Sequence, residues 1–369
     1  MTSKTNNTKA TKTTTTTTAG RSTAASRPLM RWLAGGLALL LAAPAWAGLG
    51  FTTLAATEQD GPVSVYYPSA AGESAEAAAP LGLMLAFDAP PQRGNGRLVM
   101  ISHGSGGSPW VHAGLARALV DAGFVVAMPE HRDDNYRHGS RPGPDSWKLR
   151  PAEVTRAIDA IGRDARFAPL LQLDKVGVFG MSAGGHTALV LAGGRWSPSR
   201  FRDQCLAHLG EDFQSCVGLI TSLKGNGLDG LKQWLARRIL SWRFDDETLH
   251  GHTDPRIAAV VAAVPSAAHF EMSSFEQLAA PLALMTARQD AWLHPQFHSD
   301  RVLAACPRCE LLAELKTGGH GAYLSPLPPG LSGLIGAMIN DPPGFDRSTE
   351  VPAVNRKVLA YFDRLLRNN

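Results

Sequence analysis

From residue 51 to residue 315 the chain repeats one pattern: a short apolar run, then a longer stretch whose apolar positions recur at helical spacing. Eight such runs are predicted as strands: Phe51–Ala56, Val63–Tyr67, Leu98–Ser102, Phe124–Met128, Val176–Phe179, Ile257–Val264, Leu282–Thr286 and Glu310–Leu315. Most are continuous rather than alternating, as in "FVVAM" and "IAAVVAAV", which is the signature of strands buried on both faces. Between them, Trp110–Ala122 places Leu115, Leu119 and Ala122 on one side of a helix. Pro151–Asp164 reads as a helix with proline in its first turn, and Val351–Leu366 as an amphipathic closing helix. Strands alternating with helices imply an α/β fold, with a mostly parallel central sheet of about eight strands covered by helices on both faces. The stretch from Arg195 to Asp254 breaks the alternation. It holds two cysteines, a glycine-rich turn and the helical run "LKQWLARRILSW", and is expected to form an inserted helical cap, 195–254.

The 369 residues are 44% hydrophobic and 18% charged, enough apolar material for one large packed domain. The formal charge of +4 is unevenly placed. Residues 1–47 carry six basic residues and no acidic one, leaving 30 basic against 32 acidic in the remainder. A near-neutral body gives no reason to expect a nucleic-acid partner.

Residues 1–47 are expected to lie outside the fold. Thr13–Thr18 is a run of six threonines in a polar leader. In "RPLMRWLAGGLALLLAAPAWAG", Arg27 and Arg31 form a basic segment ahead of an eleven-residue apolar core, Leu33–Ala43, that is short for a membrane span. Ala45-Trp46-Ala47 then matches a signal-peptide cleavage site, so export to the periplasm or medium with cleavage after Ala47 is expected. An uncleaved anchor is the alternative and would be the sole membrane contact. Met30 would open a more compact signal peptide, so translation can be read from Met1 or Met30. Residues 48–369 form the predicted domain. All four cysteines lie there, and an even count in an exported chain suggests two disulfides. Local pairing, Cys205–Cys216 and Cys306–Cys309, is expected among three possible connectivities. "CPRC" alone is a poor redox or metal motif.

The chemistry centres on "KVGVFGMSAGGHTALVLAGG", where Ser182 stands between Gly180 and Gly184 at the junction of a strand and a helix. Gly-x-Ser-x-Gly in that context is a nucleophile elbow. The tight turn leaves room only for glycine beside the serine, and the following helix offers free N–H groups to an oxyanion. A serine hydroxyl needs a base, and His320 in "LKTGGHGAYL", after the last predicted strand, is the candidate; His294 and His298 are rivals. The histidine needs a carboxylate, expected to be Asp290, just past Leu282–Thr286, rather than Asp254 or Asp229 in or beside the insertion. The oxyanion hole is expected from the backbone N–H groups of Ala183 and of Ser105 in "ISHGSGGSPW". That loop lacks the lysine and spacing of a phosphate cradle. No metal and no cofactor are implied, and His250, His252 and Asp254 read as a polar loop.

These elements resemble the α/β-hydrolase family. More narrowly, "SHGSGGSPWVHAGLARALVDAGFVVAMPEHRDDNY", "GMSAGG", "DPRIAAVVAAVP" and "GGHGAYL" are similar to stretches of platelet-activating-factor acetylhydrolases and of bacterial proteins called predicted dienelactone hydrolases. The resemblance spans most of residues 51–366 and implies a serine esterase acting on a small-molecule carboxylic ester through an acyl-enzyme. Other acyl bonds (lactone, thioester, amide, polyester) and a non-catalytic binding protein on the same scaffold are the alternatives. Two features depart from those relatives. Dienelactone hydrolases proper have cysteine at the elbow, where this chain has Ser182. The acetylhydrolases draw their acid from the strand preceding that of Asp290, which here carries no carboxylate before Glu271. The sequence sets no oligomeric state.

Overall fold

The computed structural model describes residues 10–15, 48–74 and 80–367. The leader and export signal read from residues 1–47 therefore fall, apart from 10–15, outside the described residues. No helix among the described residues is long and apolar enough to cross a membrane.

In chain order the strands are β1 (Gly48–Leu54), β2 (Val63–Ser69), β3 (Ala86–Phe87), β4 (Leu98–Ser102), β5 (Val125–Pro129), β6 (Val176–Met181), β7 (Arg195–Trp196), β8 (Ile257–Ala263), β9 (Phe270–Glu271), β10 (Leu282–Ala287) and β11 (Glu310–Leu315). The helices are α1 (Ala113–Asp121), α2 (Pro144–Trp147), α3 (Arg150–Arg163), α4 (Ala183–Leu191), α5 (Pro198–His208), α6 (Phe213–Val217), α7 (Asp229–Arg243), α8 (Ser299–Ala305), α9 (Gly333–Ile339) and α10 (Arg347–Phe362). All eight expected strands are present. The sheet has nine, because the two-residue β3 pairs with β1. That strand is too short to leave a periodic signal in sequence. Pro109 turns the start of the predicted Trp110–Ala122 helix into a 3-10 turn, Pro109–His112, so α1 begins at Ala113.

The strand order is β11-β10-β8-β6-β4-β5-β2-β1-β3. From β5 to β11 every neighbouring pair is parallel, while β2 runs antiparallel to both β1 and β5. Period-two alternation feeds two cores. In β4, Leu98 and Met100 join one core with α3 and α4, whereas Val99 and Ile101 join the other with α1 and α10. The continuous apolar runs follow directly from this double burial. The C-terminal ends of β4, β6, β8 and β10 all point the same way, so the loops after them converge over one edge.

Residues 195–254 carry β7 and α5–α7. Within them Cys205 on α5 and Cys216 on α6 lie at disulfide distance, as do Cys306 and Cys309 between α8 and β11. These are the two locally paired bridges.

Candidate active site

Ser182 sits at the bend between β6 and α4 with φ 58° and ψ −118°. A non-glycine residue in this region is strained, and the surrounding packing must hold it there. The neighbours explain the glycines. A Cβ on Gly180 would lie 1.9 Å from the Gly184 carbonyl oxygen, and one on Gly184 would lie 1.9 Å from the Ser102 carbonyl oxygen on β4. The bend therefore closes only if both flanking positions lack a side chain. Ser182 N–H donates to the Ala263 carbonyl at the end of β8 (3.0 Å), and the Ser182 carbonyl accepts from His186 N–H (3.0 Å) and from Ser266 N–H (3.2 Å). Strand, helix and next loop thus all grip the residue. Ala183 occupies the first position of α4, where an N–H group has no carbonyl four residues back to bond.

The structure brings Ser182, His320 and Asp290 together. Ser182 Oγ lies 2.9 Å from His320 Nε2, and His320 Nδ1 lies 2.7 Å from Asp290 Oδ2. Both partners are buried, at 4% and 1% exposure, while the serine remains partly open to solvent. The second carboxylate oxygen of Asp290 accepts the N–H groups of Trp292 (2.8 Å) and Leu293 (2.9 Å), which fixes the carboxylate's rotation. The loop carrying His320 is pinned from outside by Arg347 at the start of α10. That guanidinium donates to the Gly321 and Leu324 carbonyls and pairs with Asp341. Tyr323 closes the inner side, its hydroxyl donating to the Thr286 carbonyl (2.7 Å).

Of the other candidates, His298, Asp254 and Asp229 are engaged elsewhere. His298 Nδ1 accepts the Ala267 and Ala268 N–H groups, so the ring's proton is on Nε2, which faces Asp212 at 3.1 Å. Asp254 is held by Arg256, and Asp229 by Lys232 and the backbone amides that precede it. His252 meets Thr155, and no metal-ligating cluster occurs among the described residues.

The loop after β4 runs beside the serine. A Cβ on Gly104 would stand 3.4 Å from Ser182 Cβ. The Gly104 carbonyl accepts from Gly107 N–H (3.0 Å) and from His103 Nδ1 (2.7 Å). Because the peptide is trans, the Ser105 N–H points away from those two donors. The His103 tautomer is set by its other nitrogen: Nε2 accepts His131 N–H, so Nδ1 carries the proton.

Beneath this loop lies a buried polar network with little trace in the sequence. Arg150 is fully buried. It donates to the His103 carbonyl (2.6 Å), to Ser146 Oγ (2.8 Å) and to Asp134 Oδ2 (2.7 Å). The other Asp134 oxygen accepts the Ser105 hydroxyl (2.6 Å) and Gly106 N–H (3.1 Å). Burial pushes the Asp134 carboxyl up, but Arg150 and the Ser105 hydroxyl outweigh it and hold the group below its ordinary range. The loop's own turn, Gly107 N–H to the Gly104 carbonyl, is thus fastened from beneath to an ion pair. Of the two adjacent aspartates after β5, Asp134 makes the buried pair. The Asp133 carboxylate makes a long, half-exposed contact with Arg141, whose N–H donates to the Asp133 carbonyl. Arg150→Met is expected to lower the unfolding free energy by about 3–5 kcal/mol, since it leaves Asp134 buried and uncompensated. Urea denaturation measures this, and a loss below about 1 kcal/mol would contradict the account.

Next to it, His131 bridges Ser102 Oγ (2.7 Å, from Nε2) and Glu153 Oε2 (2.6 Å, from Nδ1). Burial lowers the His131 pKa and raises that of Glu153 to about 7, so the neutral pair is favoured. The sign follows. A carboxyl whose folded pKa is raised stabilises the fold while protonated, and that contribution fades as pH rises from about 4.5 toward 7. Glu153→Gln keeps a donor toward His131 without the titration. The stability of Glu153→Gln relative to the native chain is therefore expected to rise across that interval and level off above it, as read from urea midpoints at each pH. A difference that stays flat from pH 4 to 8 would refute this.

No family model matches the chain, and no curated protein sequence does. Among solved structures, many of which are similar, a ferulic acid esterase from Streptomyces cinnamoneus superposes with a TM-score of 0.58 at 18% identity, over 89% of this chain and 93% of that one. At such identity the likeness is one of architecture. With its nine-stranded, mostly parallel sheet, flanking helices and strained strand-to-helix bend, the chain has the α/β-hydrolase fold.

Proposed function

We propose that the protein is an exported serine esterase that cleaves small-molecule carboxylic esters. The observation that carries this reading is the unbroken chain from Ser182 Oγ through both nitrogens of His320 to Asp290, at 2.9 and 2.7 Å, on a serine held in strain. His320 Nε2 takes the hydroxyl proton as Ser182 Oγ attacks the ester carbonyl carbon. Asp290 keeps the proton on Nδ1, so that Nε2 is free to accept, and stabilises the imidazolium that results. The N–H groups of Ala183 and Ser105 hold the oxyanion. The tetrahedral intermediate collapses with transfer of the proton to the departing alcohol. Water, deprotonated by the same histidine, then releases the acid. Every step runs on side chains and amides of this chain.

The fold likeness to a ferulic acid esterase supports an ester as substrate. The quoted motifs support the narrower kinship with acetylhydrolases and predicted dienelactone hydrolases, with Ser182 standing where the latter use cysteine. Two bridges in the body and the signal-like segment support export. Residues 195–254, stapled by Cys205–Cys216, are read as a cap. A fluorophosphonate probe is expected to label the native chain at one site, mapped to the peptide containing Ser182 by mass spectrometry. Labelling at another serine, or none, would reject the assignment.

A further inference from the structure

Helix α7 presents an apolar face that nothing in the described structure covers. Its buried seam is narrow: Ala236 and Leu240 pack into the core that includes Phe201 and Cys205 of α5. On the opposite side Leu228, Leu231, Trp234, Leu235, Ile239 and Trp242 fall within one broad arc, at helical spacing, and all are exposed. Trp242 is 82% exposed and Trp234 59%. Ile220, on the segment leading into the helix, is 88% exposed. Patches of this kind on a soluble fold mark interaction surfaces.

The charge around the face selects its occupant. Residues 219–243 hold Lys224, Lys232, Arg237, Arg238 and Arg243 against the single acid Asp229, in a body that is otherwise slightly acidic. Arg238 lies within the apolar arc, between Trp234 and Trp242 at i−4 and i+4, and makes no ion pair among the described residues. The acidic residues 245–247 lie past the helix's end, where Asp246 is bonded to Lys148. Lys232 is paired with Asp229 and Arg243 with Asp145, so a second copy docked face to face would set the remaining three cations, Lys224, Arg237 and Arg238, against three. An anionic lipid surface instead takes the Trp and Leu side chains into its interface and neutralises the flanking cations. We propose that α7 is a docking face for anionic phospholipid membranes, through insertion of Trp234 and Trp242 and contact of Arg238 with lipid phosphates. The role is independent of the catalytic reading, since none of these side chains bonds to Ser182, His320 or Asp290.

The test is co-sedimentation of the full chain with vesicles of phosphatidylglycerol and phosphatidylcholine, and with vesicles of phosphatidylcholine alone. The native chain is expected to partition onto the anionic vesicles, with binding that weakens as salt rises. The double variant Trp234→Ser/Trp242→Ser and the single variant Arg238→Glu are each expected to lower that partitioning by about tenfold or more. Thermal melts should match the native chain, because the buried seam is untouched. Any contribution of residues 33–43 is common to all the proteins and drops out of the comparison. Equal partitioning of native and variant chains, or no binding by the native chain, would overturn the proposal. So would a native dimer that Trp242→Ser converts to monomer in analytical ultracentrifugation, which would assign the face to a second copy.

Discussion

Ser182→Ala is expected to lower kcat for p-nitrophenyl acetate by about a million-fold, leaving only what binding and amide donors give without a nucleophile. The size follows from the covalent step. Without Oγ there is no acyl-enzyme, and His320 has no hydroxyl to deprotonate. Folding should be retained. Alanine keeps the same Cβ in the same strained conformation, and among the described residues Ser182 Oγ bonds only to His320. The native and variant chains should therefore melt together while their rates diverge. Equal rates with a native-like melt would sink the esterase reading of Ser182. The non-catalytic alternative would show the same melts and no turnover in either chain.

The fold was largely readable because its sheet is buried on both faces. Runs such as Leu98–Ser102 and Glu310–Leu315 end where the strands end, since the flanking glycines and prolines stop the pairing. What periodicity could not show was β3, a two-residue pairing governed by tertiary contact with β1. The positions of Ser182, Asp290 and His320 were readable for another reason. Each sits in a loop just beyond an apolar strand, and parallel strands bring those loops to one edge of the sheet. The support beneath the loop after β4 was opaque. Arg150 and Glu153 sit in the first turn of α3, where a charged residue ordinarily reads as a solvated face. Only the fold places them under His103, Asp134 and His131. A faint signal was available: a buried strand end followed by one histidine and two aspartates within four positions, His131 to Asp134, demands partners of some kind. The apolar face of α7 was hidden in the opposite way. Its helical spacing is evident in "LKQWLARRILSW", but spacing alone cannot tell which stripe is turned inward. The fold buries Ala236 and Leu240 and leaves the tryptophans outside.

Asp290→Asn should reduce kcat about ten-thousand-fold with KM little changed, a loss that isolates the tautomer from the packing. Asp290 Oδ1 is locked by the N–H groups of Trp292 and Leu293, so an asparagine here must put its carbonyl oxygen there. The amide nitrogen then faces His320 Nδ1 across the 2.7 Å contact that a carboxylate oxygen fills in the native chain. Two donors cannot share that line, so Nδ1 gives up its proton and becomes the acceptor. The proton moves to Nε2, the nitrogen that must be free to take one from Ser182 Oγ. The base is thus blocked without losing a contact or a cavity, and the melting temperature should shift little. A variant that keeps more than a tenth of native kcat would mean that the carboxylate does not set the histidine's proton, and that the acid must be sought elsewhere.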